Sequence, residues 1–176
     1  MSAPNHEKLT LIFGRRSIRL YAPGGVQDRD VTLMLQAAMA APSAMTKDPW
    51  RFIIVRQPQT LAQLAAILPG GKLLNTAALA IVVCGDLEAA LERQLSFLLQ
   101  DCSAAIENLL LAAHGLGLGA CWVGLHPAPD SVREIGKLLG LPASIVPVAA
   151  IAIGRPGEQP EPRTRFNSDY VHLEKW

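Results

Sequence analysis

The sequence is poor in cysteines, aromatic residues and charges. Its 176 residues include three cysteines, while aromatic and charged residues make up 5% and 18% of the chain. No two cysteines stand in a C-x-x-C pair, so we expect neither a zinc or iron–sulfur centre nor a dithiol relay, and we interpret the cysteines as small buried residues. The formal net charge of +1 argues against a broad nucleic-acid-binding face.

Several catalytic and targeting motifs are missing as well. There is no G-x-G-x-x-G or Walker motif, no H-E-x-x-H among the four histidines, and no G-x-S-x-G around Ser43. Asp101 and Glu107 lie six residues apart on one predicted helix and do not share a face, so we expect solvation or interface pairing for both. Residues 1–8 are polar and no apolar signal segment follows, so the expected location is cytoplasmic. No metal site is predicted, and a cofactor would have to supply the chemistry of an enzyme built this way.

Apolar residues, by contrast, are abundant. They make up 50% of the chain, and the mean hydropathy is +0.24. Such a chain either binds a membrane or buries additional apolar surface in an oligomer. The longest charge-free run, 108–129, is interrupted by glycines and prolines, which indicates a helix end, a turn and a strand. We therefore expect an oligomer without a membrane span.

Hydrophobic periodicity and turn signals predict strands that alternate with helices. The predicted strands are 51–56, 79–85, 120–125 and 146–153. The predicted helices are approximately 28–41, 61–68, 87–116 and 130–139. The continuous apolar run at 79–85 indicates a strand covered on both faces, and the whole pattern an α/β sandwich. Three prolines and mixed charges in 155–165 predict a core domain at 1–154 and an extended C-terminal arm at 155–176.

Two arginine clusters stand near opposite ends of the chain. The first is Arg15-Arg16-Ser17-Ile18-Arg19, and the second is Arg163-Thr164-Arg165. A guanidinium fork matches phosphate oxygens and a serine hydroxyl adds a short donor, so the two clusters together suit one phosphate group. The alternative is two solvated patches. The glycine-rich segment 115–124 could let the backbone approach a flat ring closely.

Four blocks of the sequence resemble the nitroreductase family of FMN enzymes. Residues 15–21 (RRSIRLY) resemble its opening motif, and residues 41–52 (APSAMTKDPWRF) resemble its second motif. The run from Asn108 to Gly124 resembles the third block of the family, and residues 153–156 with Trp176 resemble its C-terminal block. The blocks follow in the family's order and cover nearly the whole chain.

This resemblance implies a fold and an assembly. The family fold is an α+β three-layer sandwich, in which a central mixed sheet is flanked by helices. Two chains would form a homodimer with two FMN molecules at the subunit interface. The C-terminal arm, through Trp176, would be exchanged onto the partner subunit, which accounts for the high hydrophobicity.

The resemblance also implies where FMN would bind. The residues at the phosphate end would be Arg15, Arg16, Ser17, Arg163 and Arg165, of which Arg15, Ser17 and Arg165 would contact the phosphate. Arg19 would reach the pyrimidine edge of the flavin, where positive charge stabilises the reduced ring. The segment that lines the ring or the substrate pocket from the other subunit would be Pro42, Ser43, Ala44 and Met45. Backbone N–H groups of Val123 and Gly124 would meet the N5 and O4 edge.

Some positions depart from the family pattern. The second motif usually has Asn where this chain has Thr46, and Gln where it has Asp48. Residues 69–73 lack a clear Asn or Gln for the flavin pyrimidine, a role that Lys72 could take, although a solvated lysine is the alternative.

The implied activity is that of an FMN-dependent oxidoreductase. Hydride would pass from NADH or NADPH to the flavin N5 and then, in a ping-pong sequence, to an electron-poor acceptor such as a nitroaromatic or a quinone. One alternative keeps the fold and FMN but changes the reaction, for example to dehalogenation or ene reduction. Another is a flavin-binding dimer without catalysis.

Overall fold

The structure, a computed structural model, describes residues 9–161 and 164–176. The α-helices of these residues are α1 (Thr10–Gly14), α2 (Asp28–Met39), α3 (Pro58–Ile67), α4 (Leu95–Gly115) and α5 (Pro129–Leu138). The strands are β1 (Tyr21–Ala22), β2 (Trp50–Val55), β3 (Leu79–Asp86), β4 (Gly119–Gly124) and β5 (Ile145–Pro156). Short 3₁₀ turns cover Ala44–Thr46, Gly71–Asn75, Leu91–Arg93 and Ser168–Tyr170.

Strand β5 holds the sheet together. It pairs with β3 over residues 145–153 and with β4 over residues 149–154, and β1 joins its end at residues 155–156. Strand β2 extends the sheet beyond β3. Each of these ladders is antiparallel, and an isolated bridge between Ser17 and Ala120 adds a parallel pairing.

Both faces of the sheet are covered by helices. Alternate residues of β3, beginning with Leu79, belong to a core cluster with buried residues of α2 and α4. The intervening residues, beginning with Ala80, belong to a second cluster with buried residues of α3 and α5. Successive side chains of a strand point to opposite faces, so an all-apolar strand contributes to both layers. The α+β three-layer sandwich implied by the resemblance is confirmed.

Helix α4 is the central helix of one layer. It spans 21 residues, eight of which are buried. It begins at Leu95 rather than at the predicted residue 87, because Glu92 and Arg93 in the preceding 3₁₀ turn adopt left-handed backbone conformations. Among the described residues, α4 is the one helix that is long and apolar enough to cross a membrane, by length and composition alone. Its buried residues pack against the sheet and α2.

The cysteines are buried, as predicted. Burial raises the pKa of Cys84 to about 12 and, as the largest cause, that of Cys102 to about 12. Burial also raises the pKa of Cys121, while the nearby charge of Arg19 opposes the shift. A thiol with a raised pKa stays protonated at neutral pH and is a poor nucleophile.

Beyond β5 the chain leaves the core. Residues 164–176, here called the C-terminal segment, contain one 3₁₀ turn at Ser168–Tyr170. Four large side chains of this segment stand in solvent in the single chain: Phe166, Tyr170, Leu173 and Trp176 are 82%, 79%, 85% and 101% exposed. The segment thus has the exposed apolar groups expected of an arm that packs elsewhere.

Candidate functional site

The first arginine cluster runs beside β4. Ser17 forms the parallel bridge with Ala120, and the Ile18 N–H donates to the Ala120 carbonyl at 3.0 Å. Ile18 is buried against Gly119, where a Cβ would come within 2.7 Å of the Ile18 side chain. A larger residue than glycine would therefore push this segment away from the strand. The close packing fixes the backbone that carries the arginines.

Arg15 and Arg16 line an open cavity of about 960 Å³. The other lining residues are Ile18 and residues from the ends of α1 and α4, the turn before β4 with Ala120, and residues 156–161 at the end of β5 and beyond it. Arg15 Nε forms an ion pair with Glu107 Oε1 of α4 at 3.2 Å. Arg16 Nε is buried without a hydrogen-bond partner. Because an unpaired buried donor is costly, Arg16 suits an anionic ligand in this cavity.

A short segment after β5 fastens the arginine cluster to the sheet. The Glu158 carboxylate accepts hydrogen bonds from the backbone N–H groups of Arg19 and Leu20. The Gly157 N–H donates to the Leu20 carbonyl at 2.8 Å. A Cβ at Gly157 would lie 3.1 Å from the backbone of Leu20 and its neighbours, so glycine allows this approach. We call this pair of residues the 157–158 latch.

The latch has an electrostatic consequence. The hydrogen bond from Arg19 N–H, followed by that from Leu20 N–H, lowers the pKa of Glu158. The carboxylate is therefore ionised at neutral pH, but two backbone donors already engage it. Although Glu158 and Glu161 line the same cavity as Arg15 and Arg16, the Glu158 charge is partly satisfied within the chain.

Tyr21, at the end of the same segment, contacts the central strand through its hydroxyl. Its hydroxyl lies 2.8 Å from the Ile18 carbonyl and 3.1 Å from the Ala152 carbonyl of β5. Burial, the largest cause, raises the pKa of Tyr21 far above its ordinary value. The hydroxyl thus remains protonated and serves as a donor that ties residues 18–21 to the central strand.

Arg19 lines a second open cavity, of about 890 Å³. This cavity also includes Lys72 and Asn75 of the 3₁₀ turn Gly71–Asn75. Gly71 lets the turn approach α3, since a Cβ there would lie 2.9 Å from the Ala65 carbonyl oxygen. The structure thus brings two cationic side chains, Arg19 and Lys72, to one cavity.

Residues 42–45 lie in a separate loop held by α4. The Ala44 N–H donates to Asp101 Oδ1 at 2.9 Å. Asp101 is only 5% exposed, so the expectation that it is solvated or paired at an interface is wrong: the helix turns this carboxylate inward to accept from the loop. Glu107 does form an ion pair, but within the chain.

The loop itself is tightly turned. The Ser43 hydroxyl donates to Asp48 Oδ1 and accepts from the Asp48 N–H. Three non-glycine residues adopt left-handed conformations, with φ of 50° at Met45, 53° at Thr46 and 48° at Asp48. Met45 is 76% exposed at the tip. Strained backbone of this kind is common at ligand-binding sites.

The remaining predicted site residues lie at β4 and in the C-terminal segment. Val123 is buried at 4% exposure, and Gly124 is exposed with open space where a side chain would stand. Arg165 is exposed, and Arg163 lies outside the described residues.

Within one chain, the predicted site therefore falls into separate groups. Arg15 and Arg16 share a cavity, and Ser17 and Arg19 follow on the same segment. Within residues 9–161 and 164–176, no hydrogen bond or ion pair joins the loop at 42–45 to the arginines. The loop contacts α4 at Asp101, whereas Arg15 contacts it at Glu107. These two positions are six residues, or about 9 Å, apart along the helix axis.

Sequence reasoning missed several residues of these cavities. Glu158 binds backbone 139 positions away, a pairing that no local pattern reveals. His114 also lines the first cavity, and its Nε2 would lie 2.9 Å from a Cβ at Gly14. Among the described residues, no group of three or more His, Cys, Asp or Glu side chains is placed to hold a metal ion.

Comparisons with known proteins give one consistent answer. The model of the nitroreductase family matches residues 12–69 and 68–155. A provisionally named NADH dehydrogenase/NAD(P)H nitroreductase of Methanothermobacter thermautotrophicus is 43% identical over 168 residues, which cover 96% of this chain and 87% of the relative.

Solved structures agree with the sequence comparison. A provisionally named NADH dehydrogenase/NAD(P)H nitroreductase from Parabacteroides distasonis matches with a TM-score of 0.91 and 37% identity, over 97% of this chain and 99% of that one. A provisionally named nitroreductase from Desulfovibrio desulfuricans, solved in complex with FMN, matches with a TM-score of 0.82 and 33% identity, over 100% and 99% of the two chains. The chain described here belongs to the nitroreductase family.

Proposed function

We propose that this protein is an FMN-dependent oxidoreductase that passes hydride from NAD(P)H to an electron-poor acceptor, such as a nitroaromatic or a quinone, in a ping-pong sequence. The observation that carries the proposal is the cavity at Arg15 and Arg16, with the buried, unpaired Arg16 Nε. The related Desulfovibrio nitroreductase binds FMN, and an oxygen-insensitive NADPH nitroreductase of Salmonella typhimurium is 25% identical over 173 residues, which cover 93% of this chain and 71% of the relative.

The residues of the chain fit an FMN phosphate at this cavity. Arg15 and Arg16 would hold it with the Ser17 hydroxyl, because guanidinium groups form charge-assisted hydrogen bonds to phosphate oxygens. Arg165, with Arg163, would complete the set from the C-terminal segment. Arg19 and Lys72 share the neighbouring cavity, where two cationic side chains would meet the pyrimidine edge.

When bound, FMN supplies the capacity to accept a hydride and to pass it on. The chain's part is to orient and to stabilise charge. Arg19 would provide positive charge near the reduced ring, and the N–H groups of Val123 and Gly124 would donate along one edge. Gly124, with open space beside it, leaves this edge accessible to a flat molecule. The protonated, buried cysteines take no nucleophilic part.

We further propose a cytoplasmic homodimer with two FMN sites at the interface. Residues 42–45 of one subunit would line the ring bound by the arginines of the other, since among the described residues no hydrogen bond or ion pair joins the two groups within one chain. Of the predicted arm, 155–176, the residues up to Glu158 stay on their own chain through β5 and the 157–158 latch. The part that follows the latch would lie on the partner subunit, where its exposed apolar side chains would be buried. The core, 1–154, would supply the rest of the interface.

The visible spectrum of the purified protein tests the proposal. After reconstitution with FMN, we expect flavin absorption bands that disappear on anaerobic addition of NADH or NADPH and return with a quinone. Replacement of Arg16 by Ala should weaken FMN binding by roughly ten- to hundredfold, as for a lost charge-assisted hydrogen bond. The matched control is Arg133→Ala, which removes an arginine paired with Asp130 on the surface of α5. A protein that does not bind FMN, or whose bands neither nucleotide removes, would contradict the proposal.

A further inference from the structure

Asp101 is the one buried acidic side chain in the described part of the chain. It lies on α4 among apolar neighbours, and its Oδ2 atom is buried without a hydrogen-bond partner. A buried carboxylate normally engages both oxygens, because leaving one unpaired is costly. An apolar residue would suit this core position better, so the carboxylate needs another reason to be there.

The hydrogen bond that Asp101 does make supplies a reason. Its Oδ1 accepts from the Ala44 N–H, the first residue of the 3₁₀ turn Ala44–Thr46. The turn continues into the left-handed residues Met45 and Thr46, and the Ser43–Asp48 hydrogen bonds close the loop behind it. Side chains other than glycine avoid this backbone region unless surrounding contacts impose it. Asp101 is such a contact, because it fixes the start of the turn to a buried helix.

We propose that Asp101 is a positioning residue for the acceptor site: it holds the loop 43–48 in the conformation that presents the exposed Met45 to the ring and to the acceptor stacked on it. The inference rests on the proposed function, which assigns residues 42–45 to the ring bound by the other subunit. Met45 would pack on the acceptor with its flexible thioether, and a loop fixed to α4 limits where it can stand.

Two substitutions at Asp101 separate anchoring from mere packing. In D101N the amide oxygen can still accept from the Ala44 N–H. In D101L a side chain of similar size removes the buried carboxyl group and the anchor together, and leaves the Ala44 N–H without its acceptor. The matched control is Ser103→Ala on the same helix, because the Ser103 hydroxyl bonds within α4, to the Leu99 carbonyl at 2.7 Å.

Two measurements read the effect. Hydrogen exchange of the amides of residues 44–48, measured without flavin, should be at least tenfold faster in D101L than in the wild type. With FMN bound, the KM for 1,4-benzoquinone should rise about tenfold in D101L, while the rate at which NADH bleaches the flavin changes little. D101N and Ser103→Ala should resemble the wild type in both measurements.

Other results would overturn the inference. Wild-type exchange and KM in D101L would show that the loop does not depend on Asp101, and a D101N protein as impaired as D101L would show that the anchor is not the hydrogen bond. If D101L does not fold, Ala44→Pro removes the same bond from the loop side, after the extended Ser43 that tolerates a following proline. Because Ala44 belongs to the proposed site, this variant is judged by hydrogen exchange alone: faster exchange at residues 45–48 supports the anchor, and wild-type exchange there overturns it. A wild type that binds no FMN would defeat the proposed function, whereas the exchange measurement would still decide the role of Asp101.

Discussion

Strand β3 and the C-terminal segment both carry large apolar side chains, but these side chains are buried to opposite extents. Every residue from Leu79 to Gly85 is buried between two helical layers of its own chain. In the C-terminal segment, four large side chains, from Phe166 to Trp176, are almost fully exposed. The strand needs only its own chain for burial. The segment carries apolar surface that a second subunit can cover.

The size of this exposed surface is enough to matter for association. Fully burying one large apolar side chain contributes about 1.5–3 kcal/mol, so four would contribute roughly 6–12 kcal/mol before the entropic cost of association. That range is comparable with the stability of a whole domain. The comparison therefore predicts different outcomes for changes in the two regions.

Deleting residues 162–176, which include the C-terminal segment, should have the largest effect. We expect monomer or aggregate in place of the dimer, because the apolar groups that cover the partner are gone. FMN binding should also fall, since Arg163 and Arg165 are removed. Analytical ultracentrifugation and flavin titration measure the two effects. A stable, FMN-loaded dimer of this shortened chain would show that the segment is dispensable, and a Trp176→Ala protein serves as the milder control.

Ile151→Ala, in the buried centre of β5, should lower the free energy of unfolding by about 2–5 kcal/mol through the cavity it leaves. Urea denaturation provides the measurement. The paired change, Leu173→Ala in the C-terminal segment, should leave unfolding of the monomer unchanged at protein concentrations below the dimer dissociation constant. Equal losses from both changes would remove the distinction between the two regions.

Arg165→Ala tests whether the C-terminal segment also contributes to the cofactor site. A lost charge-assisted phosphate contact should weaken FMN binding by about 1.5–3 kcal/mol. Lys175→Ala, which removes a positive charge from the same exposed segment, should change the affinity far less. Titration of flavin fluorescence measures both, and unchanged affinity in the Arg165 variant would exclude that residue from the site.

Glu158→Gln tests the 157–158 latch, which follows the last strand of the core. We expect the smallest effect for this change. The backbone hydrogen bonds of Arg19 and Leu20 lower the pKa of Glu158 in the folded protein. The latch therefore stabilises the fold at pH values above the ordinary carboxyl range, near 4.3, and this contribution is lost as the pH falls through the lowered pKa. Glutamine does not titrate, so in the Gln variant this part of the loss of stability on acidification should disappear. Thermal unfolding of both proteins between neutral and acidic pH measures it, and identical pH profiles would refute the role of the latch.

The sequence was informative wherever one local pattern determined the structure. The apolar run at 79–85 predicted a strand covered on both faces, and the structure confirms it. The remaining predicted strands differ from the observed ones by a few residues at their ends, because the boundaries depend on pairing with neighbours. Strand β1, with two residues, is too short to produce a periodic signal.

The candidate site was harder to derive because its contacts join distant parts of the chain. The arginine motif and the family resemblance located residues 15–19, but neither could pair Glu158 with the backbone of Arg19. From its spacing along the helix, Asp101 was expected to be solvated or paired at an interface. A pattern of apolar residues cannot reveal that a distant loop brings the Ala44 N–H to this buried carboxylate. The cofactor-binding roles of all the predicted site residues, Arg163 and Arg165 included, stay predictions.

The attachment of residues 17–22 at both ends has a kinetic meaning. The segment is bound to β4 at Ser17 and Ile18, and to β5 through Tyr21 and Ala22. The backbone that carries Arg19 is thus ordered when the chain folds, and little further entropy is lost when a ligand arrives. Such preorganisation favours one-step association. Stopped-flow mixing with FMN should then give an observed rate that increases linearly with ligand concentration, without the plateau that a preceding rearrangement would impose.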